Sequence, residues 1–376
     1  MNPRPCNLGF IGCGELMCTQ HIQNAHKSPL LAVHTLCDID EERLRLVAGR
    51  YPPRRVTTDY RALLADPEVE LVVIAMDPAL HVRFALEALE AGKHVYVEKP
   101  LGESPAEARR VARRARRAGR FVAVGFNRRF APAYRELRPL LAGRERSALL
   151  YYRIADHERG RRAGTRRLHV EVCHVFDVLC WLLGSEPVEV FCAGGGFPND
   201  EVVVLRFQDG SVAAVLSSGR AEIDLPKEHL EAIWDFRAVV VEDFVEARFF
   251  HLPGRAPLER YRGVKYDGEL GDHDERLGAE GLEALYEIRR RSSRAWELHD
   301  AGGEPDPADL GLHINYIVDK GWRAALEEAG RAAVEGRPPA NATALDAARA
   351  NAVAGAAARS ARTGRAVRLR PGAWRL

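Results

Sequence analysis

Along the first third of the chain, short apolar runs alternate with segments whose apolar positions recur about every three to four residues. Leu8-Gly9-Phe10-Ile11, Leu31 to Cys37, Leu71-Val72-Val73-Ile74-Ala75, His94 to Val97 and Phe121 to Val124 read as strands. Their apolar residues do not alternate with polar ones, which predicts strands covered on both faces, as in a parallel sheet. Between them the spacing predicts helices over about Glu15 to His26, Asp40 to Arg50, Ala79 to Ala91 and from about Ser104 onward. In the third helix Val82, Ala85, Leu86 and Leu89 form one stripe. This βαβ rhythm predicts an α/β domain over residues 1–127 with a doubly wound parallel sheet.

The pattern changes in residues 128–376. Ser147 to Ile154, Val188 to Cys192, Glu201 to Phe207, Ser211 to Ser217, Glu228 to Trp234 and Ala238 to Val241 read as strands joined by hairpin-type turns. Gln208-Asp209-Gly210 is the plainest of these turns. A strong helical pattern, Val170 to Leu183, interrupts them. The prediction is an α+β domain with a large open, mostly antiparallel sheet and helices on one face. Residues 267–310 are charged and Gly-rich and read as a partly helical insertion. Two amphipathic helices follow, about Leu312 to Glu335 and Thr343 to Arg362, separated by Gly336-Arg337-Pro338-Pro339.

At 376 residues and 46% hydrophobic, the chain is long enough for two buried cores. The net charge of +2 gives no global field for nucleic acid or an anionic membrane. Arg109 to Arg120 is Arg-rich, but Ala108, Val111, Ala112, Ala115 and Ala118 fall at helical spacing, so the arginines form a solvated face. No apolar run approaches the roughly 20 residues of a membrane span. The first strand follows the N-terminus too closely for a signal peptide. Seven cysteines without CxxC spacing fit a reduced cytoplasmic compartment. Cys173, Cys180 and Cys192 with His169 and His174 lack paired metal-ligand spacing, so no metal is expected. Of 55 basic residues only six are Lys, so a retained Lys stands out against the Arg bias.

Gly12-Cys13-Gly14-Glu15 follows a strand and opens a helix, the context of a dinucleotide fingerprint. Gly12 permits the tight turn, and Gly14 lets a pyrophosphate approach the helix N-terminus. Met17 stands where Gly or Ala would allow close helix–strand packing. Asp38 ends the second strand, where a carboxylate accepts from the adenosine ribose hydroxyls and repels a 2′-phosphate. NAD is therefore expected rather than NADP, and neither Ile39 nor Asp40 offers a cation to a phosphate. Asp40 reads as a helix cap. Lys99, in Glu98-Lys99-Pro100 at a strand's carboxyl end, could stabilise an alkoxide during hydride transfer.

Taken together, the Gly-x-Gly turn, Leu86 to Val95, Glu98-Lys99-Pro100, Gly125-Phe126-Asn127-Arg128-Arg129-Phe130 and Ser360 to Arg365 resemble the Gfo/Idh/MocA oxidoreductase family. The resemblance implies a Rossmann domain followed by a substrate domain whose open sheet mediates a homodimer or homotetramer. It implies oxidation or reduction of a sugar- or cyclitol-like polyol with NAD(P). Lys99 then matches the active-site lysine, and Glu98 a residue near the nicotinamide ribose. Asn127, Arg128 and His81 match residues around the cofactor, although Ala75-Met76-Asp77-Pro78-Ala79 departs from the usual loop before that His.

His174 in Glu171-Val172-Cys173-His174 matches the catalytic His, whose neutral imidazole takes a hydroxyl proton. An Asp is usual four residues earlier; here Val170 stands there, with Glu171 and Asp177 as the nearby carboxylates. Asp156 and His157 are further substrate candidates, and Arg153, Arg159 and Arg161 extend that stretch. Two other functions stay open on these residues. One is an enzyme that oxidises and re-reduces its substrate on a retained cofactor. The other, favoured by Met17, Val170 and the altered loop, is a dinucleotide-binding accessory or sensor.

Overall fold

The computed structural model describes residues 4–156, 167–195, 197, 199–222, 224–264, 273–306, 309 and 317–376. They form two compact units, one of 1–130, 321–352 and 372–376, the other of 131–320 and 353–371.

The first unit is built on β1 (Cys6–Ile11), β2 (Leu31–Cys37), β3 (Arg55–Thr57), β4 (Leu71–Ile74), β5 (His94–Val97) and β6 (Val122–Val124). All six run parallel, in the order β6-β5-β4-β1-β2-β3, and a short antiparallel strand, Ala342–Thr343, joins beside β6. This is the doubly wound order of a Rossmann sheet. β4 is buried at every position, which explains its unbroken Leu-Val-Val-Ile run. The short β3 and the helix Tyr60–Ala65 carried too few residues to show a period.

The helices between these strands start where their caps dictate. α1 runs through a π-helical segment, Met17–Ile22, into Gln23–His26. α2 (Glu41–Arg50) begins after Asp40, whose carboxylate accepts from the Arg43 amide. α4 (Pro78–Glu90, with Tyr60–Ala65 as α3) buries His81, Ala85, Ala88 and Leu89, a face turned slightly from the expected stripe. α5 (Pro105–Ala118) starts at a capping box of Ser104 and Glu107 and buries Ala108, Val111 and Ala115, with Arg110, Arg113, Arg116 and Arg117 exposed.

The second unit carries a nine-stranded sheet. Its strands are β7 (Leu149–Ala155), β8 (Pro187–Gly194), β9 (Glu201–Phe207), β10 (Val212–Ser218), β11 (Glu228–Trp234), β12 (Arg237–Glu242), β13 (Glu246–Phe250), β14 (Leu258–Arg260) and a short Val367–Arg368. Only β7 and β10 pair in parallel; the other neighbours are antiparallel. Burial alternates strictly along β9 and β10, as one covered and one open face require. α6 (Pro132–Ala142) and α8 (Cys173–Leu183) supply Tyr134, Leu137, Val175, Phe176 and Leu179 to the covered side.

Two helix boundaries differ from the sequence reading. The helix expected from Val170 is broken: α7 spans Arg167–Val170, and α8 begins only at Cys173. The Glu171 and Val172 amides both turn back to the Arg167 carbonyl, which closes α7 before the next helix starts. The helix expected from Leu312 starts at Trp322, because Gly321 adopts φ +82° just before it. Leu312 itself lies outside the described residues. Of the stretch read as an insertion, His273–Glu280 and Leu282–Asp300 are helical. Among the described residues no helix is long and apolar enough to cross a membrane.

His94 ties β5 to the strand beside it: its Nδ1 accepts the Phe121 amide at 3.2 Å and its ring lies 4.2 Å from that of Phe121. Burial, reinforced by Arg120, lowers its pKa from 6.5 to about 4. The folded state therefore favours the neutral ring, while the unfolded chain takes up the proton first on acidification. This contribution to stability is complete above about pH 6.5 and is lost as pH falls towards 4. His94→Asn keeps an acceptor but does not titrate. Its melting temperature should fall less steeply than wild type between pH 6.5 and 4.5; equal slopes would contradict the assignment.

Candidate functional site

Because the six strands are parallel, the turns after β1, β2 and β5 emerge at one edge of the sheet, where ligands of this fold bind. Gly12 has φ +90°, a conformation that side chains rarely adopt, and its amide donates to the Cys37 carbonyl at 2.8 Å. At Gly14 a Cβ would meet nothing within 4 Å, so the backbone there is open to a close-approaching group. Glu15 begins the helical residues that follow.

Asp38 is buried, and its carboxylate spans two loops. Oδ2 accepts the Cys13 amide at 2.6 Å and Oδ1 the Asp40 amide at 2.9 Å. The acid at the end of β2 thus holds the glycine turn at the end of β1. Burial pushes the Cys13 thiol up to about 12, so at neutral pH this residue serves the turn through its backbone and not as a thiolate. Arg43, which the sequence reading passed over, reaches Asp38 at 3.9 Å and Asp40 at 3.4 Å from the first turns of α2. Ile39 between them is almost wholly exposed. A positive-φ glycine turn, an uncrowded Gly14 and a fixed acid after β2 fit a dinucleotide.

Glu98 follows β5 and is buried. His21 Nε2, from α1, donates to its Oε1 at 3.2 Å, and the Lys99 amide donates to its Oε2 at 3.3 Å. On the other side lies Gly125: a Cβ there would come within 2.4 Å of Oε1, so the carboxylate occupies the room a side chain would need. Beneath it the fully buried Tyr96 has its pKa raised well above the ordinary value, by burial first and then by the Glu98 charge.

The turn that carries Lys99 is held further along as well. His81 Nδ1 lies 2.9 Å from the Pro100 carbonyl and its Nε2 3.1 Å from that of Met76. Burial lowers its pKa, and its two ring nitrogens face backbone oxygens of two loops. Asn351 donates to the carbonyls of Leu101 and Gly102 at 3.2 and 3.1 Å. Lys99 itself is half-buried. Asn127 and Arg128 are buried in a single 3₁₀ turn, Asn127–Phe130, just after Gly125.

In the second unit, His174 is buried at the start of α8 and its amide donates to the Glu171 carbonyl. Asp177, one turn on, is also buried. Around the end of β7 four charges meet. Asp156 Oδ1 accepts from Arg167 at 2.6 Å, its Oδ2 lies 2.6 Å from Lys227 Nζ, and Glu171 lies 3.5 Å from the same ammonium. Burial disfavours the Lys227 charge, but Glu171, Asp156 and Glu228 outweigh it and raise its pKa. The structure thus brings Asp156 and Glu171 together through Arg167 and Lys227, neither of which the sequence reading selected. His157, Arg159 and Arg161 lie outside the described residues. Among the described residues no group of three or more His, Cys, Asp or Glu could hold a metal ion.

Lys227 had a signal in the sequence, the scarcity of Lys. The same signal marks Lys93, whose ammonium donates to the Asp66 and Val69 carbonyls, and Lys320, 3.2 Å from Glu228. Three of the six lysines thus carry buried ammonium groups, while Lys27 and Lys99 are half-buried. His21 and Asn351 had no signal of their own.

The description "oxidoreductase family, NAD-binding Rossmann fold" matches residues 6–126. The chain is 27% identical to the myo-inositol 2-dehydrogenase of Thermotoga maritima over 57% of its length and 69% of the relative's. It is 37% identical to inositol 2-dehydrogenase 2 of Saccharopolyspora erythraea over 48% of its length and 55% of the relative's. It thus spans little more than half of the latter. The fold is shared with the crystal structure of myo-inositol dehydrogenase from Lactobacillus casei in complex with NAD(H) and myo-inositol, with a TM-score of 0.70, 17% identity, and coverage of 99% of this chain and 100% of that one. Residues 6–126 thus match the NAD-binding Rossmann domain of the Gfo/Idh/MocA oxidoreductase family.

Proposed function

We propose that this protein is an NAD-dependent dehydrogenase that moves a hydride between the nicotinamide and a hydroxyl or keto carbon of a cyclitol- or sugar-like polyol. The observation that carries the reading is the shared sheet edge, where the Gly12–Gly14 turn, Asp38 and Glu98-Lys99 all emerge. The inositol dehydrogenases among its relatives support the substrate class. When bound, the nicotinamide supplies the hydride acceptor or donor.

The chain's own residues divide the remaining work. The Lys99 ammonium donates to the reacting oxygen and stabilises the negative charge that grows there as the C–H bond breaks. His174 takes the hydroxyl proton, or returns it in reduction. Glu98 and His81 hold the turn that carries Lys99, and the Asp156-Lys227-Glu171 cluster sets the polar surroundings of the first turn of α8. Asp38 offers its carboxylate to the adenosine ribose, and its charge disfavours a 2′-phosphate. Arg43 partly offsets that charge, but it is half-exposed and shared with Asp40.

Assayed with NAD and a panel of inositols and aldoses, Lys99→Met should lower kcat about 100-fold or more. Its affinity for NADH, read by nicotinamide fluorescence, should stay within about threefold of wild type. Undiminished turnover would sink the role given to Lys99. Wild type should bind NADH more tightly than NADPH, and Asp38→Ala should narrow that preference about tenfold. A wild-type preference for NADPH would reject the cofactor assignment.

A further inference from the structure

We propose that His21 is a positioning residue for the nicotinamide half of the cofactor and acts through the Glu98 carboxylate. The inference rests on the dinucleotide reading above. The sheet order places β2, with Asp38, on one side of β1, and β4 and β5 on the other. A dinucleotide lies across the carboxyl ends of such a sheet, with its adenosine ribose at the acid after β2. Neighbouring strands are about 4.8 Å apart, so the end of β5 lies roughly 10 Å across from β1, on the side towards which the second nucleotide extends. Glu98 is the first residue past that end.

His21 comes from the helix that opens directly after the glycine turn. Its ring is enclosed, with edge contacts to Tyr96 at 5.4 Å and Trp322 at 5.6 Å between centroids. The backbone that carries it is π-helical over Met17–Ile22. A π turn holds one residue more than an α turn, and so changes the face presented by residue 21 by as much as about 100°. Met17, out of place in the dinucleotide fingerprint, is fully buried in this same segment. The wide turn is the local feature that fixes which way His21 faces.

A buried polar pair of this kind adds little stability over a well-packed apolar pair of the same volume. What it adds is direction. One carboxylate oxygen is fixed by His21, the other meets the Lys99 amide, and the missing side chain at Gly125 provides the room the carboxylate fills. Without the His21 donor, the carboxylate and the start of the Lys99 turn lose their anchor to α1, whereas Asp38 and the Gly12–Gly14 turn keep their own bonds.

The test compares NADH with ADP-ribose, which lacks the nicotinamide, by calorimetric titration of the full chain. His21→Phe keeps the ring volume and His21→Ala does not, and both lack the donor; whichever folds serves. The expected result is a loss of NADH affinity of about tenfold, with ADP-ribose affinity within about twofold of wild type. His21→Gln, which retains a donor for the carboxylate, should recover NADH affinity to within about threefold. Unchanged NADH affinity in the donor-less variants, or equal losses for both ligands, would overturn the role. If wild type binds neither ligand, the dinucleotide reading itself fails, which is a separate outcome.

Discussion

The buried carboxylate of Glu98 is the point on which the cofactor-facing edge of the first unit depends. A charged group in a dry interior is tolerated only where donors surround it and nothing else competes for the space. Here one donor comes from α1 and another from the backbone of Lys99, while the missing side chain at Gly125 provides the space. Three segments far apart in sequence are therefore mutually determined, and the turn bearing Lys99 follows from all of them. His81 and Asn351 continue the pattern by taking up the carbonyls of Pro100, Leu101 and Gly102, so the turn is held along its whole length. The role proposed for Lys99, to meet a reacting oxygen within a few tenths of an ångström, requires such support.

Asp38 plays the matching part at the other end of the proposed cofactor path. In the sequence it is simply an acid after a strand, assigned to a ribose. In the structure the same carboxylate also accepts the Cys13 amide, so the group that would select the cofactor also shapes the glycine turn. On the proposed reading, cofactor preference and turn geometry are coupled there. Arg43 enters for a related reason: helix α2 leads its third residue back over the carboxylate, a consequence of helical geometry that the adjacent residues Ile39 and Asp40 do not disclose.

In the second unit the missing Asp at position 170 changes meaning once the helix break is known. A residue at 170 would stand one turn before His174 only in a continuous helix, and α7 closes before α8 opens. Glu171, whose carbonyl accepts the His174 amide, belongs instead to a charge cluster drawn from the end of β7, the residue before β11 and the two helices' junction, where Asp156, Arg167, Glu171 and Lys227 neutralise one another. Arg167 lies in this group because its guanidinium also meets Ser217 on β10 and the Ile154 carbonyl, so the sheet fixes the short helix.

The sequence alone determined five of the six parallel strands of the first unit, the glycine turn, the acid after β2, the Asp40 cap and the exposed arginine face of α5. Each of these is written in residues a few positions apart, where propensity, capping and periodicity act. The tertiary structure decided the partner of Glu98, the anchor of the Lys99 turn and the cluster near His174. His21 and Glu98 are 77 residues apart and Asn351 and Leu101 are 250 apart, so no local pattern joins them. The facing direction of His21 hangs on a π turn, and the start of α8 on where the Arg167 carbonyl finds its donors. Those choices are made when buried polar groups find partners across the fold, which is a property of packing and not of any one segment.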